Sequence, residues 1–335
     1  MLSIILTIDF LFCEWFNVIM KKIFVPIFKT KRSSEKNAIE KTSSLLLESK
    51  HVIPYIEAIK DVYNPIVEKY IRLMGESHFF IEPMQNEELD GLFVYENAIP
   101  VCLIGRDTDN KTIDIFVKKG EEPPRPIAFR ISDSDSTHAK YLEPKLRDKD
   151  YLLVDISGND YSSSLFLSAI KMFFNFKCKI IILSNERSVS ASGTDLNKHY
   201  NNKYSNSMFF NHSVINAIKN GTFDFDGFAS YCGAKNDLTE EVKISNDIYG
   251  YLLSFNLDKN AFYVITSDTR SHITKVYNEL LDIIGCDYEI VSLYKRTPIS
   301  RELLNLQLSL GKMSCQKKIT IEIVHYLEEI IYNLQ

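Results

Sequence analysis

Short, uninterrupted apolar runs separated by helix-like stretches recur along most of this chain, and that alternation restricts the fold more than any single motif. Runs of this kind sit at 24–28, 52–56, 78–82, 127–131, 151–155, 179–184, 225–230 and 261–266. A strand with one face in water alternates apolar and polar residues. A strand that is apolar throughout is covered on both faces, as in a parallel sheet with helices packed outside it. Helical patterning at 34–49 and 58–75 fills the first gaps. Eight strands is the number that closes an α/β, TIM-barrel-like (β/α)8 fold, and 335 residues accommodates that barrel with inserts. An open doubly wound sheet is the alternative. No glycine-rich phosphate fingerprint follows the first strand, which counts against its nucleotide-binding form.

Several finer elements follow. GLFVYEN and IPVCLIG read as a β-hairpin insert after the third strand, turning at Asn97 and Ala98. TIDIFVKKG reads as a further strand, closed by the breaker-rich GEEPPRP. IYGYLLSFN and AFYVITS form a hairpin near the end, its second arm doubling as the eighth barrel candidate, and SHITKVYNELLDIIG covers it as a helix. The final CQKKITIEIVHYLEEIIYNL is a strand-to-helix or all-helical element. Residues 186–207 read as a long polar loop, a mobile segment or lid.

Residues 1–19 are apolar enough to suggest a signal or anchor, but Asp9 and Glu14 interrupt them, and neither a basic leader nor a small-residue cleavage site is present. They are expected to be an extension outside the core, from an upstream start codon or as a loosely attached helix, with residues 20–335 forming one barrel-like domain. The six cysteines include no CxxC pair, as expected for buried thiols in a reducing, cytoplasmic setting, and they are not clustered as a zinc site requires. The net charge of −5 argues against a surface coated for nucleic acid without excluding a local basic site. The basic run SLYKRTPISR (292–301) could touch nucleic acid; a solvated connection is the simpler reading.

FVPIFKTKRSSEKNAIE, VIPYIEAI, DGFASYCG and AFYVITSD, in that order, resemble the phage-type beta protein family, found in phages, satellite prophages and bacterial defence islands. The resemblance runs from about residue 20 to the C-terminus. It implies an anti-phage or toxin-restraining role beside a toxic protein encoded in the same locus, and it carries no established reaction. ASY (229–231) and QKKIT stand where the family often has GDY and a histidine pair, so any chemistry of those positions is in doubt here.

In a barrel, the C-terminal ends of the strands meet in one mouth. Candidates for catalysis there are Glu57, Glu82, Asp155 and Glu186; candidates for holding a ligand are Lys29, Lys31, Arg130, Arg187, Tyr231 and Lys235. Asp133 and Asp226 are placed on the same rim. Carboxylates and cations converging on a concave site suit acid–base chemistry or recognition of a phosphorylated small molecule or nucleotide. The plain alternatives are an Arg130–Asp155 ion pair and a surface that restrains a partner. Four strand-end acids would invite a divalent metal, but no histidine accompanies them, so no metal is expected. Serines in SASG lack the nucleophile-elbow pattern, and His212 reads as a surface or capping residue. As rim positions, Glu57→Gln and Arg130→Ala are expected to change stability by under about 2 kcal/mol.

Overall fold

The structure, a computed structural model, describes residues 22–30, 33–58, 64–83, 89–105, 107–156, 170–184, 193–205, 225–232, 247–259 and 261–333. Eight strands close an all-parallel barrel. They are β1 (Ile23–Lys29), β2 (Tyr55–Glu57), β3 (Phe79–Glu82), β4 (Ala98–Leu103), β5 (Ala128–Ser132), β6 (Tyr151–Asp155) and β7 (Lys179–Ser184). A short strand outside the barrel, β8 (Lys203–Ser205), precedes the closing strand β9 (Gly227–Ser230), which pairs with β1 on one side and β7 on the other. The chain is thus an α/β protein with a TIM-barrel-like (β/α)8 fold.

Apolar continuity has its expected cause. Alternate residues of each strand face either the barrel interior or the helices outside. Val25, Ile27, Tyr55, Phe80, Val101, Leu153, Ile181 and Leu183 form one buried cluster inside. Phe24, Phe28, Ile56, Phe79, Ile131 and Ile182 join a separate, larger cluster outside.

Four assignments change. Ala98–Leu103, read as the second arm of a hairpin, is the fourth barrel strand, parallel to β3 and β5. Its apolar run is buried on both faces, which a surface hairpin does not allow, while the supposed first arm is a short helix (Leu89–Leu92) followed by turns. The run at 261–266 is accordingly not a barrel strand: β11 (Ala261–Thr266) is antiparallel to β10 (Tyr251–Asn256), as the hairpin reading has it, and also to β8. It is apolar throughout because it is the middle strand of a small sheet, with Phe262 and Val264 in the core around the barrel and Tyr263 and Ile265 in a second core.

The TIDIFVKKG segment belongs to a helix, Asn110–Lys119, capped by the Asp109 carboxylate accepting from Thr112 N at 2.7 Å. Its Ile113, Ile115 and Val117 imitate strand alternation, but the buried pair is Ile113 and Phe116, at helical spacing, and Ile115 is 48% exposed. Within 186–207, residues Gly193–Tyr200 are helical and Lys203–Ser205 form β8, so this stretch is not the continuous loop expected.

The last segment is all-helical, Cys315–Ile331. It packs on the Ser33–Glu48 helix, where Thr320 Oγ1 donates to Ser34 O at 3.2 Å, and it lies beside β10. There Glu322 accepts from Leu253 N at 2.7 Å and Glu329 from Leu257 N at 3.4 Å, so carboxylates meet the N–H groups of an edge strand. Among the described residues no helix is long and apolar enough to cross a membrane. Residues 1–19 lie outside the described residues.

Candidate functional site

Strand register places the site. Lys29 pairs with Glu57 and Glu57 with Glu82, so the last residues of β1, β2 and β3 stand at one level of the barrel. Each continues the inward parity of its strand: Ile27 then Lys29, Tyr55 then Glu57, Phe80 then Glu82. Arg130, Asp155 and Tyr231 follow Ala128, Leu153 and Ala229 by the same step of two. The interior changes from apolar to charged in one layer at the C-terminal mouth.

These side chains form a single network. Arg130 Nε and Nη2 donate to Asp155 Oδ2 at 2.9 and 2.7 Å. Its Nη1 reaches both oxygens of Glu82 at 3.3 and 3.2 Å and Glu57 Oε2 at 3.4 Å. Nη2 also donates to the Tyr231 hydroxyl at 3.1 Å, which in turn donates to Glu57 Oε2 at 2.8 Å. Lys29 Nζ completes the ring, 3.1 Å from Glu57 Oε1 and 5.2 Å from the centre of the Tyr231 ring. The Arg130–Asp155 pair therefore exists, but as one arm of a guanidinium shared by three carboxylates.

Local structure holds the network in place. The buried Glu35 carboxylate, in the first turn of the Ser33–Glu48 helix, accepts from Lys29 N, and Tyr70 donates to Lys29 O at 3.3 Å. Beyond Tyr231 the chain turns at Cys232, whose φ of 54° is left-handed for a residue with a side chain. Ser230 Oγ accepts from Cys232 N at 3.0 Å and secures that turn.

Burial sets the electrostatics. Glu82 is pushed above the usual carboxylate range by desolvation, partly offset by Arg130. The Tyr55 and Tyr231 hydroxyls are raised well above the ordinary tyrosine value, again chiefly by burial, and remain protonated donors. Burial alone would lower Arg130, but Glu82 and the other surrounding acidic groups outweigh it and hold the guanidinium charged. The Cys102 thiol is pushed up to about 12 by burial, which removes it as a nucleophile. Asp155 and Glu57 are the more open carboxylates, their side chains 18% and 16% exposed against 6% for Glu82.

Of the sequence candidates, Lys29, Glu57, Glu82, Arg130, Asp155 and Tyr231 are brought together. Lys31, Glu186, Arg187 and Lys235 lie outside the described residues, as does His212. Asp226 is not on this rim: it precedes β9, and its carboxylate accepts from Ile180 N at 2.8 Å, near the opposite end of the strands. Asp133 is buried just beyond β5, where its N–H donates to Asp155 O at 3.3 Å. Reading the sequence misses Tyr55, which donates to the Glu82 carboxylate, and Glu35. Tyr55 was legible as a hydroxyl two residues before Glu57, on the same inward face. Arg130 is buried at 8% exposure amid three carboxylates, which predicts a larger cost for Arg130→Ala than a rim position implies.

Among the described residues, no group of three or more His, Cys, Asp and Glu is arranged to hold a metal ion. The arrangement can move a proton between the buried Glu82 carboxyl and its carboxylate neighbours, beside a fixed positive charge. Compared with known proteins, the chain matches no family model, and no curated protein is significantly similar to it.

Proposed function

We propose that this chain is a barrel-mouth enzyme that transfers protons on a small polar molecule, in the phage–bacterium conflict that the beta family resemblance implies. The observation that supports the chemistry is the guanidinium of Arg130 shared by Glu57, Glu82 and Asp155 at the end of a barrel where such folds place their active sites. Glu82, raised by burial against the opposing pull of Arg130 and of the Tyr55 hydrogen bond, is the acid. Asp155, held by two guanidinium nitrogens and more open to the mouth, is the base.

Charge selects the ligand. Among the described residues, three carboxylates of the network face two cations, Lys29 and Arg130, and both cations are already engaged. A phosphorylated molecule would have to displace a carboxylate from one of them, whereas a neutral or cationic polar molecule need not. Restraint of a toxic partner, the rival mechanism, rests on the resemblance and requires no chemistry at the mouth.

Glu82→Gln and Asp155→Asn keep shape and remove, respectively, the acid's transferable proton and the base's charge. Incubated with a small-molecule cell extract, the wild type should deplete a compound detected by mass spectrometry, and each variant should slow that depletion about 100-fold or more, as for loss of a general acid or base. Phage protection should fall in parallel, with thermal melts verifying the fold. Full protection by both variants would retire the enzyme and favour restraint.

A further inference from the structure

We propose that the opposite, N-terminal end of the barrel is a second site, which accepts a phosphate-bearing small molecule. A cavity of about 480 Å³ opens there between the segments that lead into β2, β3, β5, β6 and β7. Its size lies within the range of small-ligand sites, roughly 300–1,000 Å³, and is sufficient for a nucleoside monophosphate. This end of such barrels ordinarily serves stability, so an open, charged cavity there calls for another explanation.

The lining has two parts. Tyr151, Ile53 and Ile99, the lowest inward-facing residues of the barrel interior, supply an apolar and aromatic floor. Lys50, Lys149 and Lys179 stand around it with His78, and among the described residues Glu76, itself exposed, is the only carboxylate-bearing one in the lining. A chain with a net charge of −5 thus concentrates three lysines against one acid at this opening. Among the described residues none of these lysines is in an ion pair. Lys179 is instead held by an aromatic residue: its Nζ donates to the Tyr151 hydroxyl at 3.3 Å and lies 4.9 Å from that ring's centre.

Ammonium groups without counter-charges above an apolar floor match a ligand with a phosphate at one end and a ring or acyl portion at the other. Among the described residues, the mouth's cations Lys29 and Arg130 are by contrast neutralised by carboxylates. The assignment does not depend on the activity proposed for the mouth.

Lysine acetylation footprinting of the full chain, with inorganic phosphate and with AMP as probes, locates the site directly. AMP should protect Lys149 and Lys179 while leaving the exposed Lys111, in the helix that follows β4, unprotected, and should bind more tightly than phosphate in calorimetry. Lys149→Gln combined with Lys179→Gln should weaken AMP by about tenfold or more without altering the melting transition, and added salt should weaken the wild type in the same direction. Equal protection at Lys111, absence of protection by either probe, or an unchanged affinity in the double variant would overturn the assignment. Either result leaves turnover at Glu82 and Asp155 to be judged separately.

Discussion

Arg130→Ala tests the mouth most severely, because one guanidinium carries the whole network. It makes contacts at 2.9 and 2.7 Å to Asp155, 3.3 and 3.2 Å to Glu82, 3.4 Å to Glu57 and 3.1 Å to Tyr231. Truncation leaves three carboxylates in a barely hydrated layer, with Lys29 near Glu57 as the remaining cation of the network. An exposed ion pair would be worth under about 1 kcal/mol. Stranding buried carboxylates costs about 3–5 kcal/mol, and this site belongs to the second class.

The physical cause predicts a coupling as well as a cost. Glu82→Gln removes beforehand the most buried of the three carboxyl groups that Arg130 holds, so Arg130→Ala should cost less in that background, by about 1–3 kcal/mol. It also predicts a pH dependence with a definite sign. Without Arg130, Glu82 loses the cation that offsets its burial and is raised further above its unfolded value, so the variant retains stability in acid and loses it as pH rises. Urea unfolding of the wild type, both single variants and the double variant, at about pH 5 and about pH 8, measures all three quantities. A cost below about 1 kcal/mol that is additive with Glu82→Gln and flat with pH would refute the shared-guanidinium account.

Two further outcomes concern the scaffold. Burial raises Glu329 to about 7, so its contribution to stability is fully present below the unfolded value of 4.5 and is lost as pH rises through about 7. Glu329→Gln keeps an oxygen for Leu257 N and should gain on the wild type by about 2–3 kcal/mol between about pH 5 and about pH 8; the same stability difference between the two proteins at both pH values in urea unfolding would disprove it. At Gly227, where β9 closes onto β1, a Cβ would overlap the Ile23 carbonyl oxygen and crowd Ile181. Gly227→Ala should therefore destabilise by about 3 kcal/mol in thermal or urea unfolding, and a change within about 0.5 kcal/mol would show that the closing seam yields.

Residue types along this chain determine which segments are covered on both faces and where polar groups emerge from them. That is local information, since a run such as FVPIF or YLLV cannot be exposed on either side without cost. It sufficed to place Lys29, Glu57, Glu82, Arg130 and Asp155 on one rim of a barrel. Apolar continuity does not reveal the pairing partner, however. β4 and β11 read alike, yet one is a parallel barrel strand and the other the middle of an antiparallel sheet. Nor does alternation alone separate Asn110–Lys119 from a strand, because one long side chain at helical spacing, Phe116, decides which face is buried. The tertiary structure alone decided that one arginine serves residues 73, 48, 25 and 101 positions away, and that Lys50, Lys149 and Lys179 gather at the far end. Those meetings depend on the register and closure of the whole barrel, and no segment of the chain carries that geometry by itself.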